Sequence, residues 1–267
     1  MQESRVTVRL FETPEAIGNH AASHLLAGLG AARAAGRPYL LGCPTGRTPR
    51  PVYAALAEAL RREPLDLSHL LLVMMDEYAS EDGGGRLRLA DPSAHFSCRG
   101  FAEREIVARI NAVLPQAFRI QSENVWFPDV DEPAAYDKRI ADAGGIDCFL
   151  VASGSGDGHV AFNPPGSELG SLTRIVTLAE QTRIDNLKTF PAFENLDAVP
   201  RHGVSVGLQT IRSARHCMLL LWGREKREAF RRVTSTAGFD ADWPASIVLA
   251  AASHDILADH AAADNRR

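Results

Sequence analysis

Apolar residues run with little polar interruption at VTVRLF (6–11), YLLGC (39–43), LLLVMM (70–75), DCFLVA (147–152) and HCMLLLW (216–222). Between several of these runs Ala and Leu return every three or four positions, over 14–35, 50–63, 132–143 and 224–236. The short runs have the length and residue types of strands, and the longer segments have helical spacing. Strands that are apolar throughout, rather than alternating, are buried on both faces. The pattern therefore predicts an α/β protein: a mostly parallel sheet with helices on both faces, doubly wound. No internal repeat or low-complexity block breaks the pattern, so residues 1–267 are read as a single domain. The glycine- and charge-rich stretch 79–93 is predicted to be a mobile lid, and the tail after about residue 259 to fray.

Composition narrows the functional classes. With 267 residues, 45% of them hydrophobic, the chain can bury a substantial core. A net charge of −4 provides no basic stripe, which argues against nucleic acid as partner. Cys43, Cys98, Cys148 and Cys217 are widely spaced, with no C-x-x-C pair and no His/Cys cluster at zinc spacing. Neither a disulfide framework nor a metal site is expected, and a reducing cytoplasm fits. The opening MQESRVTVRLFE lacks a signal-peptide layout, and no apolar run is long enough to span a membrane.

In doubly wound sheets ligands collect at the carboxyl ends of the strands. Four loops sit there. GCPTGRTP carries Gly42, Thr45, Gly46 and Thr48 where a strand turns into a helix, an arrangement that holds anions on free backbone N–H groups and hydroxyls; it also serves as a plain turn. It is not a Walker A sequence, because no Gly-Lys-Ser/Thr follows at the required spacing. MMDEY sets Asp76 directly after an apolar run, where a desolvated carboxylate can act as a base toward a carbon acid, or simply cap the next turn. GSGDGHVAFNPPGSE (154–168) spaces three glycines around Asp157 and His159, an acid–imidazole pair or a structural turn. GREKREAF presents Lys226, one of only three lysines with Lys138 and Lys188, at a further strand end; a solvated surface lysine is the alternative.

Taken together and in order, PTGRTPRPVYAAL, MDEY, GDGHVAFNPPGS, TRIVTLAEQTRIDN, VPRHGVSVGLQTI and GREKREAF resemble the family of glucosamine-6-phosphate deaminases and 6-phosphogluconolactonases over nearly the whole chain. The blocks AFN-x-PGS and SVG-x-x-TI look like the deaminase branch. The resemblance implies a modified Rossmann-like sheet, a sugar phosphate as small-molecule partner and no cofactor or metal. Self-association into a homo-oligomer is compatible with it. It implies Asp76 as the base at carbon 2, with Asp157, His159 and Glu180 as further catalytic groups. It implies substrate or phosphate binding by Thr45, Gly46, Arg47, Thr48, Glu77, Gly156, Asn163, Arg183, Lys188 (at the family's arginine position) and Lys226, with Arg174 as a further charge near this surface.

The chain departs from the pattern in three places. Deaminases of this family generally carry glutamate after the asparagine, completing an acid–histidine–acid relay, and here Pro164 follows Asn163. Proline neither donates nor accepts through a side chain. His159 is then left with Asp157 and either Glu168 or Glu180 as partners. Val176 and Glu168 replace a lysine and a serine of the activator site, so allosteric activation by N-acetylglucosamine 6-phosphate is not expected, although Ser167 and Arg174 remain. The resemblance implies deamination of glucosamine 6-phosphate or lactone hydrolysis, and the departure at Pro164 adds elimination of water from N-acetylglucosamine 6-phosphate as a rival to deamination. A non-catalytic sugar-phosphate sensor is the reading from a different class.

Overall fold

The structure, a computed structural model, describes residues 8–264. Along the chain run β1 (Val8–Phe11), α1 (Pro14–Ala34), β2 (Tyr39–Cys43), α2 (Arg50–Arg62), β3 (Leu70–Met74), β4 (Asp76–Glu81), β5 (Leu87–Leu89), α3 (Cys98–Phe101) and α4 (Ala108–Asn111). They are followed by β6 (Val125–Trp126), α5 (Pro133–Asp142), β7 (Cys148–Ala152), β8 (Arg174–Thr177), α6 (Glu180–Thr189) and β9 (His202–Ser205). The chain then forms α7 (Leu208–Arg212), β10 (His216–Leu221), α8 (Arg227–Ser235), β11 (His254–Asp259) and α9 (His260–Ala263).

Seven strands form a sheet in the order β1-β11-β10-β7-β2-β3-β6, parallel at every pairing. Alternate side chains of each strand enter opposite cores, as strand geometry requires. Leu41, Leu72, Leu150 and Leu220 pack against α1 and α2, whereas Leu40, Val73, Val151 and Leu219 pack toward α5, α7 and α8. This two-sided burial is what the uninterrupted apolar runs predict. α1 starts where Thr13 accepts from the Ala16 N–H at 3.2 Å and Pro14 supplies a preset φ. Its buried Ile17, Ala21, Leu25, Leu29 and Ala32 keep one face on the sheet.

Strand order reverses between β2 and β7: β3 and β6 continue one way, β10 and β11 the other. The crevice beyond the carboxyl ends of these central strands is the expected ligand position. At Met75 the chain leaves the parallel sheet, its N–H donating to Cys43 and its carbonyl accepting from Val206. It then enters a second, antiparallel sheet ordered β5-β4-β9-β8. Asp76 is the first residue past that junction.

Several expectations change. The second sheet and β6 and β11 were not among the expected strands, and Val6 and Thr7 of the first run lie outside the described residues. The stretch 79–93 is not a free lid; β4 and β5 make a hairpin whose turn is organised by Asp82. Its Oδ1 accepts from the Gly84 and Arg86 N–H groups, its Oδ2 from Arg88, and Gly85 takes φ +79°. The glycines and charges serve that turn. Of the tail expected to fray, residues 260–263 form α9, capped by Asp259, whose Oδ1 accepts from the Ala262 N–H at 2.8 Å, and residues 265–267 lie outside the described residues. Among the described residues no helix is long and apolar enough to cross a membrane.

Candidate active site

A cavity of about 400 Å³ opens at the carboxyl ends of four adjacent strands, β10, β7, β2 and β3. Each of the four loops singled out in the sequence contributes to it.

After β2, residues Pro44–Thr48 line one wall. The loop is held from behind: the Tyr53 hydroxyl donates to the Pro44 carbonyl at 2.8 Å and the Trp222 indole N–H to the Thr48 carbonyl at 2.9 Å. Gly46 sits at φ +85°. Thr45, Gly46, Arg47 and Thr48 all line the cavity. Lys226, beyond the end of β10, also lines the cavity, donating to the Ser153 carbonyl at 2.6 Å and the Ser155 hydroxyl at 3.1 Å. Burial lowers its pKa, and Glu225 only partly opposes this. An anion arriving beside Lys226 and the Thr45–Thr48 turn would oppose this lowering by favouring the charged form.

Asp76 and Tyr78 both line the cavity because they are two apart on β4. Glu77 points the other way. Fully buried, it accepts from the Cys98 N–H and Tyr78 N–H through Oε1 and from the Arg99 N–H and Ser97 hydroxyl through Oε2. It anchors the start of α3 and does not reach the pocket, contrary to the expectation that it binds substrate. Asp76 is 5% exposed, and burial pushes its carboxyl up to about 7. The larger opposing influence is the Cys98 thiol, which donates to Oδ1 at 3.3 Å, and the charge of His159 adds to it.

After β7, Asp157 Oδ1 accepts from the His159 Nδ1–H side at 2.7 Å and from the His159 backbone N–H at 3.1 Å. Burial raises Asp157, but the hydrogen bond and charge of His159 outweigh it and leave the carboxyl below its ordinary range. An ionised Asp157 fixes the imidazole proton on Nδ1 and leaves Nε2 for other work. A Cβ on Gly154 would lie 2.3 Å from His159 Nδ1, so only glycine admits this pair. The third contact of His159 is the Thr182 hydroxyl, 3.3 Å from Nδ1. Neither Glu168 nor Glu180 takes that place: both are exposed and outside the cavity lining. Glu180, expected as catalytic, instead begins α6.

Pro164 belongs to a turn. Its carbonyl accepts from the Ser167 N–H and hydroxyl at 3.1 and 2.7 Å. Asn163 also faces away from the cavity, its amide donating to Val160 and Val206 carbonyls and accepting from Arg174 at 2.8 Å. It clamps the reversal Val160–Asn163, in which Ala161 takes the left-handed φ of 50°. Ala161 and Phe162 of that reversal line the pocket. Gly156 packs under Gln181 rather than in the lining, and Arg183 bonds the Leu196 and Val199 carbonyls, tying α6 to the following segment. Of the expected cationic residues, Lys188 does line the cavity rim, 3.9 Å from Asp185.

Sequence reading missed the face of α6 that closes the pocket. Thr182, Asp185, Asn186 and Thr189 recur at helical spacing in QTRIDNLKT, and all four line the cavity. It also missed the aromatic wall of Tyr78, Phe162 and Phe190, in which the Tyr78 and Phe162 centroids are 4.8 Å apart. Val176 packs behind it in the apolar cluster with Tyr78 and Phe162.

Comparison with known proteins agrees with this architecture. The family described as glucosamine-6-phosphate isomerases/6-phosphogluconolactonase matches residues 12–257. A glucosamine-6-phosphate deaminase of Rhodococcus jostii is 37% identical over 227 residues, covering 85% of this chain and 81% of the relative. One of Beutenbergia cavernae is 38% identical over 225 residues, 84% of this chain and 80% of the relative. A monomeric glucosamine-6-phosphate deaminase of known structure superposes with a TM-score of 0.81 at 27% identity, covering 98% of this chain and 100% of the other. The 6-phosphogluconolactonase of Leishmania guyanensis, at 18% identity and a TM-score of 0.69 over 98% of this chain and 99% of its own, shares the fold.

Proposed function

This chain belongs to the family of glucosamine-6-phosphate isomerases and 6-phosphogluconolactonases, and from that membership we propose that it acts on an amino-sugar 6-phosphate, with Asp76 removing the proton on carbon 2. The observation that carries this reading is a carboxyl pushed to about 7 by burial, lining the same cavity as a partly buried lysine and a glycine–threonine turn. A base poised near neutral pH is suited to moving a carbon-bound proton. Binding a remote phosphate at Thr45–Thr48 and Lys226, with Arg47 and Lys188 at the rim, supplies affinity away from the reacting carbons and holds them against Asp76.

His159, oriented through Nδ1 by Asp157, offers Nε2 to shuttle the ring-oxygen proton as the sugar opens. With a free amine, Asp76 takes the carbon-2 proton to give an enolamine. Reprotonation at carbon 1 yields an imine, and water then releases ammonia and fructose 6-phosphate. The Rhodococcus jostii and Beutenbergia cavernae relatives, at 37% and 38% identity, carry the deaminase name, which favours this outcome over lactone hydrolysis.

One observation favours a second outcome. Among the described residues His159 bonds the side chains of Asp157 and Thr182, and no second carboxylate hydrogen-bonds its ring, Pro164 standing in the glutamate's place. With an N-acetylated nitrogen, imine formation is disfavoured, and the same enolised sugar can expel its 3-hydroxyl as water after loss of the carbon-2 proton. Incubation with glucosamine 6-phosphate and N-acetylglucosamine 6-phosphate, followed by ammonia assay and mass spectrometry, separates the two. Ammonia from the first sugar supports deamination, and loss of one water from the second supports elimination. Binding of both sugars without product and without exchange of the carbon-2 hydrogen in deuterated water would overturn the catalytic reading in favour of a sensor.

A further inference from the structure

Asp76 and Glu77 are joined by an indirect path. Glu77 leaves the pocket face of β4 and binds the N–H groups of Cys98 and Arg99 at 2.9 and 2.8 Å, fixing the first turn of α3. Ser97, whose hydroxyl donates to Glu77 at 3.0 Å, caps the same turn by accepting from the Gly100 N–H. The side chain so fixed, Cys98, returns to β4: its thiol donates to Asp76 Oδ1 at 3.3 Å. On its other side the sulfur lies 3.6 Å from the Thr45 hydroxyl. If the thiol donates to Asp76, Thr45 is the donor to sulfur, giving one ordered chain from the anion-binding turn to the carboxylate. Cys98 is 1% exposed and does not line the cavity, so it touches no substrate.

We propose that Cys98 is a positioning residue for Asp76, its thiol holding Oδ1 and leaving the second oxygen to face the pocket. This inference rests on Asp76 being the base, as argued above. The residue type matters. A guanidinium or several backbone N–H groups would pin the carboxylate in its charged form and weaken it as a base. A thiol is a weak donor that orients the carboxylate while leaving most of its basicity intact. The Thr45 contact adds that filling the anion-binding turn can reorient the donor behind the sulfur.

The test is the titration of Asp76 in protein carrying carbon-13-labelled aspartate, with the signal assigned by loss in Asp76→Asn. Cys98→Ala, which removes the donor, is expected to move the midpoint up by roughly half to one pH unit. Cys98→Ser, which keeps a donor, is expected to stay at or below the wild-type midpoint. The acid limb of carbon-2 hydrogen exchange should move in parallel in the two variants. An unchanged midpoint in Cys98→Ala, or equal upward shifts in both variants, would overturn the proposal, since the second pattern reports lost volume and not a lost donor. The titration needs no turnover, so a wild-type protein inactive on both sugars would defeat the functional reading and leave this test intact. Should Cys98→Ala fail to fold, the infrared S–H band of the wild type, identified by its absence in Cys98→Ser, is expected to shift as Asp76 ionises. A band that stays fixed would refute the contact.

Discussion

Two aspartates of nearly equal burial lie at opposite ends of the strands and are treated in opposite ways. Asp147, 7% exposed, precedes β7 at the amino end of the sheet, while Asp76, 5% exposed, sits just past the carboxyl end of β3. Asp147 accepts from the Leu40 N–H at 3.0 Å and from the guanidinium groups of Arg37 and Arg215, each also at 3.0 Å. It pins the chain entering β2 to the chain entering β7 and β10. Among the described residues Asp76 receives one thiol. Burial is matched by partners in the first case and unmatched in the second, and the unmatched carboxyl is the one pushed to about 7. Structural and chemical carboxylates are told apart here by their donors, not by their depth.

The sharpest way to break this comparison is to neutralise each in turn. Asp76→Asn is expected to lower carbon-2 proton removal by roughly 10²–10⁴-fold, the range for loss of a positioned base. Folding should respond in the opposite sense. A carboxyl raised in the folded state binds its proton more tightly there than in the unfolded chain. Its contribution to stability is therefore full below the ordinary value of 3.8 and is lost as pH rises through about 7. Above that value the variant should be more stable than the wild type in urea unfolding, the difference shrinking as the wild-type carboxyl protonates. Wild-type activity should rise with pH across the same interval. A variant that is inactive but no more stable at high pH would mean that Asp76 is not desolvated. Asp147→Ala is expected to keep its activity per folded molecule and to lose about 1–3 kcal/mol, chiefly because the Leu40 N–H is left unmatched. Both arginines remain half exposed and are solvated by water, which limits the loss. Urea unfolding with activity measured on the folded fraction checks both statements.

The parts of the molecule legible in the sequence are those governed by local rules. YLLGC, LLLVMM and HCMLLLW announced strands buried on two faces, and the loops after them announced the cavity. The second sheet was harder to read, because β8 (RIVT) and β9 (HGVS) are short and bury only part of their length. The orientation of Glu77 was available from strand alternation, since neighbours on β4 cannot both face the pocket. The face of α6 was available from its spacing once TRIDNLKT was taken as a helix. Cys98 was not available: its meeting with Asp76, 22 positions earlier, depends on how the hairpin returns the chain. The role of Asn163 was equally hidden, because the carbonyl of Val206 that it binds lies 43 positions away.

The smallest expected effect sharpens the amino-end half of the comparison. His216, at the start of β10, stacks on His24 with centroids 4.6 Å apart, bonds the Ser253 hydroxyl at 2.8 Å and lies 3.4 Å from Asp255. Arg9 also faces Asp255 at 3.3 Å, and His254 stands beside it. Burial first, and the His24 imidazole second, lower His216 against the pull of Asp255. The folded state therefore binds fewer protons than the unfolded chain just below 6.5, so stability is full above that value and falls as pH drops through the lowered one. His20 and His254, also lowered chiefly by burial, act in the same direction. His216→Gln should flatten this acid-side slope slightly, since water screens a half-buried group, without moving the activity limb set by Asp76. Urea midpoints across the acid range test it. An unchanged slope would assign the acid sensitivity to His20 and His254, and a displaced activity limb would mean that the two ends of the sheet are electrostatically coupled.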